Sequence, residues 1–247
     1  MNGLNFSQQV AQIKANLTQV QSRMAQAADK AGRDHREIQM IAVTKLMPLE
    51  TIKAGIAAGI RAFGENYPEQ AAEKIKALAS EQALTWHMIG HIQSRKTSTV
   101  CDNFDFVHAV DRMKIARYLD RYCGEANRRM PVLIEVNVSG EESKHGWKAW
   151  DEHTWPELVP QFEKIAHMPN IEVRGLMSMP PYFEDPENTR PFYQRLARLQ
   201  RYLKEQLPMM TWRELSIGTS FDFEVAIEEG ATMVRLGTII FGARPEN

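Results

Sequence analysis

Ile38-Gln39-Met40-Ile41-Ala42-Val43-Thr44-Lys45 is a run of mostly apolar or β-branched residues that ends on a lysine, with Leu46, Met47 and Pro48 behind it. The run has strand length, is too short for a buried helix, and is closed by a proline. Apolar side chains fall on both of its faces, which predicts a central strand of a parallel sheet. Lys45 stands where that strand ends, tethered to a buried element yet able to reach into a cleft. Two readings are open. A strand-end lysine can extend its ammonium to water along an apolar stem. It can also be an amine nucleophile that forms a Schiff base with a carbonyl compound.

On either side of this run, helical and extended patterns alternate. Val10, Ile13, Leu17, Val20 and Met24 recur at helical spacing and predict an amphipathic helix over 4–32, stopped at Gly32. Further strands are expected at 61–63, 84–89, 104–109, 131–138, 173–177, 214–216 and 233–235. Helices are expected at 49–58, 69–80, from 94, and at 112–127, 155–167, 188–205 and 222–229. No run of successive hairpins interrupts the pattern, so the class is α/β with a parallel sheet. Eight strand–helix units after one extra N-terminal helix predict a (β/α)8, TIM-type barrel, with a doubly wound open sheet as the alternative. No Pro/Gly/Ser-rich linker divides the 247 residues, so a single domain over 1–247 is expected. Ser139–Lys148 reads as a mobile loop.

Composition narrows the classes. A formal net charge of -1 gives no electrostatic case for nucleic acid or an anionic membrane. Hydrophobic residues at 43% and charged residues at 25% suit a globular core. No apolar stretch approaches the roughly 18 residues of a membrane span. Met1–Lys14 lacks the apolar centre of a secretory leader. Cys101 and Cys123 stand far apart in the sequence and form no CxxC. The expectation is a cytoplasmic chain with reduced thiols.

In a barrel, chemistry gathers on the loops after the C-terminal strand ends. Those ends carry Lys45, Asn66, His87 with His91, Asp111, Asn137 with Ser139, Ser178, Gly218–Ser220 and Arg235–Thr238. Gly218-Thr219-Ser220 precedes a short helix and offers a hydroxyl and backbone N–H groups to an anion. Arg235-Leu236-Gly237-Thr238 offers a second set where glycine permits close approach. Each is an ordinary turn when taken alone. Together they fall on the loops after strands seven and eight, where this fold usually holds phosphate. An amine on strand one and a phosphate cradle across strands seven and eight fit pyridoxal 5'-phosphate. A lysine-linked phosphosugar intermediate and a plain phosphosugar are the alternatives. His87 and His91 are four apart, but a strand and Gly90 intervene and no HExxH is present, so no metal is expected.

Several segments also resemble one family. Ala42–Lys45, Phe63–Tyr67, Trp86–Lys96, Arg174–Met177 and Gly230–Gly242 look like the pyridoxal phosphate homeostasis proteins, in order and over nearly the whole chain. The resemblance implies a fold type III barrel similar to the N-terminal domain of alanine racemase. It implies a protein that binds pyridoxal phosphate in vitamin B6 and amino-acid balance without established turnover, so that no residue is catalytic. By this resemblance Lys45 is the aldimine lysine and Arg235 faces the pyridine nitrogen. Ser220, Gly237 and Thr238 form the phosphate loops, and Asn66 lies in the pocket. His87 and Ser178 complete the expected cofactor contacts. Apo forms of pyridoxal phosphate enzymes are the expected recipients, and a monomer is expected. The chain departs from the family at Thr219, where methionine is frequent, at Phe221, where aspartate is common, and at Tyr67-Pro68-Glu69. Racemisation needs a base on each face of the substrate. In the racemases one comes from a separate C-terminal β-domain, which this chain is expected to lack, and that favours a carrier over a racemase.

Overall fold

The computed structural model describes residues 4–81 and 83–243. Residues 1–3, 82 and 244–247, which the expected single domain included, lie outside the described residues. The barrel strands are β1 (Gln39–Val43), β2 (Ala62–Glu65), β3 (Thr85–Met88), β4 (Phe106–Val110), β5 (Met130–Asn137), β6 (Ile171–Met177), β7 (Glu214–Thr219) and β8 (Met233–Leu236). Each pairs in parallel with its neighbours, and β8 pairs with β1, so the sheet closes into the expected barrel. An open doubly wound sheet is thereby excluded.

The helices are α1 (Phe6–Lys30), α2 (Leu49–Ala57), α3 (Pro68–Ala77), α4 (Thr97–Asn103), α5 (Met113–Glu125), α6 (Trp155–Ala166), α7 (Arg190–Gln206), α8 (Phe223–Glu228) and α9 (Thr238–Phe241). The extra helix α1 starts in a capping box, with Asn5 and Gln8 exchanging backbone-to-side-chain bonds of 2.9 Å. Its apolar stripe, Ile13 to Ala28, is buried against α2, α8 and α9. None of the described helices is long and apolar enough to cross a membrane.

Strand alternation sorts the barrel interior into layers. Phe106, Leu133 and Met233 form an apolar floor with Ile41 and Met177. Two residues further along the same strands come His108, Glu135 and Arg235, all buried. The interior therefore turns polar towards the C-terminal ends of the strands.

Four boundaries differ from the sequence reading, each for a local reason. β1 ends at Val43, because Leu46 takes a left-handed φ of 62° and turns the chain, leaving Lys45 in that turn. β7 runs on through Gly218 and Thr219, the latter in register with Arg235. Helix α8, Phe223–Glu228, lies one residue inside its expected bounds at each end. The 139–148 loop ends in a two-residue strand, Trp147–Lys148, paired in parallel with β5. The loop is pinned by Asn137, whose side chain bonds the backbone of Ser139, Gly140 and Glu141. Cys101 and Cys123, distant in sequence, meet as buried free thiols with sulfurs 2.7 Å apart.

Candidate functional site

A cavity of about 340 Å3 opens at the C-terminal mouth of the barrel. Lys45, Asn66, Ser220, Arg235, Gly237 and Thr238 all line it, although they come from four different loops or strands. That volume lies in the range of small-molecule sites.

Lys45 is held in place through its neighbour. Thr44 Oγ1 donates to Glu65 Oε1 (2.9 Å), and Lys74 Nζ donates both to that oxygen (2.7 Å) and to the Thr44 carbonyl (3.0 Å). Glu65 is fully buried, so strand β2 and helix α3 together clamp the turn that carries Lys45. The left-handed Leu46 beside it is strained, a feature that concentrates at functional sites. Asn66 is fixed from behind by Gly90, where a Cβ would stand 2.7 Å from the Asn66 Cα and carbonyl. Only glycine permits that approach. Asn66 Oδ1 is buried and has no hydrogen-bond partner among the described residues.

Two further loops meet in the cavity wall. Ser220 Oγ accepts from Gly237 N (3.0 Å) and Ile239 N (3.5 Å), which draws the loops after β7 and β8 together. Asp222 shapes the first of them. Its carboxylate accepts from the Thr219 backbone and hydroxyl at 2.7 and 2.8 Å, and from the Tyr193 hydroxyl at 2.5 Å. Asp222, adjacent to Phe221, is thus the residue that orders this loop.

Arg235 supplies a buried cation. Its Nη1 donates to the Ser216 carbonyl and hydroxyl at 2.7 and 2.5 Å, and its Nη2 to the Ser178 carbonyl at 3.1 Å. Burial pulls its guanidinium below the usual arginine value, opposed by Tyr193, Asp222 and Glu135. Two expected cofactor contacts, His87 and Ser178, do not line the cavity. His87 points into the barrel one layer too deep. It is stacked on Phe106 at 5.4 Å, with Nδ1 3.0 Å from His108 Nε2. His108 in turn meets Ser216 Oγ at 2.9 Å. Burial lowers His87 to about 4, so it is neutral. Ser178 spends its hydroxyl on the Val136 carbonyl (2.8 Å) and its own carbonyl on Arg235. Both residues support Arg235 and its surroundings from behind the cavity wall.

Glu135 was not among the expected site residues, yet it lines the cavity. Burial, and then the nearby Asp111, push its carboxyl up to about 7, against the opposing charges of Arg235 and Arg112. Its Oε2 is buried without a protein partner. Unfolded, this group releases its proton near the ordinary value of 4.5. Between those two values the folded chain keeps a proton that the unfolded chain has lost, so stability falls as pH rises through the window. The gap corresponds to roughly 3 kcal/mol. Cofactor-free Glu135→Gln should therefore melt higher than wild type at pH 8 and alike at pH 4.5. Thermal melts across that range check this, and a difference independent of pH would contradict it.

His91 also lines the cavity. Its Nδ1 lies 2.9 Å from Asp111 Oδ2, and its ring stacks on His145 with centroids 4.0 Å apart. Burial lowers its pKa, with Asp111 acting in the opposite direction. Met177 and Met179 form apolar wall.

Known proteins resemble this chain in sequence and in fold. Residues 9–245 match the family described as alanine racemase, N-terminal domain. A pyridoxal phosphate homeostasis protein from Vibrio alginolyticus is 40% identical over 238 residues, covering 95% of this chain and 99% of its own. The structure of PipY from Synechococcus elongatus with PLP bound superposes with a TM-score of 0.82 at 31% identity, covering 94% of this chain and 100% of that one. An alanine racemase from Clostridium difficile, at 13% identity and a TM-score of 0.64, covers 96% of this chain and 58% of its own, and shares the fold alone. With this identity sustained end to end on a closed barrel, the chain belongs to the pyridoxal phosphate homeostasis proteins of the alanine racemase N-terminal domain family.

Proposed function

We propose that this chain binds pyridoxal 5'-phosphate in the mouth cavity, joins its aldehyde to Lys45, and holds or hands on the cofactor within intracellular vitamin B6 and amino-acid balance. The observation that carries the reading is convergence. One cavity collects the amine of Lys45, the buried cation of Arg235, the hydroxyls of Ser220 and Thr238 and the Gly237 backbone. The names of the relatives and the PLP-bound PipY structure support it. So do two buried atoms without protein partners in the cavity wall, Asn66 Oδ1 and Glu135 Oε2, which suit a polar guest.

When bound, the cofactor supplies an aldehyde that condenses with amines and a pyridine ring that draws electron density. The chain's own groups bind and orient it. Arg235 presents a cation that disfavours a second positive charge beside it, and so keeps a facing ring nitrogen unprotonated. The loops after β7 and β8 present N–H and O–H donors to phosphate. Recipients on this reading are apo-enzymes that use the same cofactor. An amino-acid racemase is the second reading, motivated by the shared fold. It predicts a change of amino-acid chirality with purified protein, whereas a carrier shows none and still restores activity to an apo-enzyme.

Ser220→Ala should weaken cofactor binding by about 1–2 kcal/mol, the loss of one charge-assisted hydrogen bond. Pyridoxal lacking the phosphate should bind much more weakly than the phosphorylated form. Equilibrium titration followed by absorbance measures both. Equal affinity for the two compounds would remove the phosphate cradle from the argument.

A further inference from the structure

The sequence expectation of no metal considered His87 with His91. The structure separates that pair and supplies a different one. His91, from the loop after β3, meets Asp111, just after β4, and His145, from the 139–148 loop. One ligand atom from each lies within 4.8 Å of the other two. We propose that His91, Asp111 and His145 form a binding site for a divalent first-row transition ion, at the mouth of the cavity, and that the ion fastens the 139–148 loop across it.

The donor set is the first argument. Two imidazoles and a carboxylate are the ligands of many three-residue metal sites that keep a position open. Zinc bonds of about 2.0–2.2 Å put tetrahedral ligand atoms roughly 3.3–3.6 Å apart. The widest separation here must therefore close by up to about 1.2–1.5 Å. Both histidines are exposed enough to turn, while Asp111 is buried and fixed. The His91–Asp111 edge, now a hydrogen bond of 2.9 Å, must open by about 0.4–0.7 Å to admit the ion.

The surroundings of the carboxylate are the second argument. Arg112 Nη1 donates to both Asp111 oxygens at 2.7 and 2.6 Å, and its Nη2 donates to the Ile92 carbonyl at 3.0 Å. The guanidinium is anchored, so it orients the carboxylate as outer partners of metal ligands do. Its charge also competes for the same oxygens, which favours a divalent ion over a monovalent one. The position is the third argument. His91 lines the cavity, so an open coordination position on the ion is accessible from the cavity mouth. His145 sits two residues before the Trp147–Lys148 strand, so the ion would bind the middle of the loop to the ends of β3 and β4.

The test uses the full chain, metal-stripped and free of cofactor, titrated with zinc chloride in a calorimeter. Saturable binding of one equivalent is expected. Loss of an outer partner of a metal ligand lowers affinity roughly 10–100-fold. His91→Ala, His145→Ala and Asp111→Asn should each lose at least that much. His145 lies on an exposed loop, so its variant keeps the fold and remains a fair test even if Asp111→Asn does not. Zinc should also slow tryptic cleavage after Lys144 and Lys148 in wild type, and leave it unchanged in His145→Ala. Absence of saturable binding would overturn the site. So would wild-type zinc affinity in the His91→Ala/His145→Ala double variant, which would place the ion elsewhere, for example on Cys101 and Cys123. The cofactor is absent throughout, so the outcome is independent of whether Lys45 binds pyridoxal phosphate.

Discussion

Lys45→Ala is expected to fold, to melt close to wild type without cofactor, and to lose all borohydride-stable attachment of pyridoxal phosphate. The conformation of the turn is held by Thr44, Glu65 and Lys74, none of which the substitution touches. With those bonds in place, the backbone of the turn is retained in the variant. Asn66, Ser220, Arg235, Gly237 and Thr238 stand on other strands and loops, so the cavity persists. The variant should bind the cofactor reversibly and more weakly, and lose it on desalting, while wild type carries it through. Reduction of the wild-type complex followed by peptide mapping should place the label on the peptide holding Lys45. A label on another lysine, or undiminished covalent capture by Lys45→Ala, would refute the assignment. The same variant separates carrier from enzyme. Robust racemase turnover by wild type, abolished in Lys45→Ala, would make the chain an enzyme.

What the sequence made legible follows the range of each physical signal. The 3.6-residue repeat of α1 and the apolar run into Val43 are local patterns, and both elements formed within a few residues of their expected bounds. Counting alternations gives eight strand–helix units, and the pairing of β8 with β1 decides for the closed barrel over the open sheet. Glu135 was visible as the charged residue in an otherwise apolar strand, but nothing local says whether such a residue faces the core, a partner or a cavity. His87 was assigned to the cavity because it ends a strand. Depth along the barrel axis decides its role instead, and that depends on how Phe106 and His108 of β4 lie beside it. Ser178 stays out of the cavity for a related reason. Its hydroxyl is captured by a carbonyl of β5, forty-two positions earlier in the chain. The His91–Asp111–His145 cluster joins three loops, and no spacing rule links them. Sequence reasoning reaches the scaffold and the strand ends, but which side chains meet across strands is settled by the closed barrel.

The largest effect on stability should come from Lys74→Met, a residue outside the cavity. Glu65 is fully buried, and Lys74 has only 13% of its side chain exposed. Glu65 Oε1 accepts from Lys74 and Thr44, while Oε2 has no hydrogen-bond partner among the described residues. Methionine keeps most of the apolar stem but removes the ammonium that stands 2.7 Å from this carboxylate. Loss of one member of a buried ion pair leaves an uncompensated charge and costs about 3–5 kcal/mol. Chemical denaturation should show this as a lowered midpoint with an unchanged slope. Glu65→Gln combined with Lys74→Met should restore much of the loss, because the double change removes the charge as well as its partner. Function should fall along with stability. Lys74 also donates to the Thr44 carbonyl, so the variant loosens the turn that aims Lys45, and covalent capture of the cofactor should slow even at temperatures where the variant is folded. Stability within about 1 kcal/mol of wild type would show that the pair is dispensable, and that the clamp on Lys45 rests on the Thr44–Glu65 hydrogen bond alone.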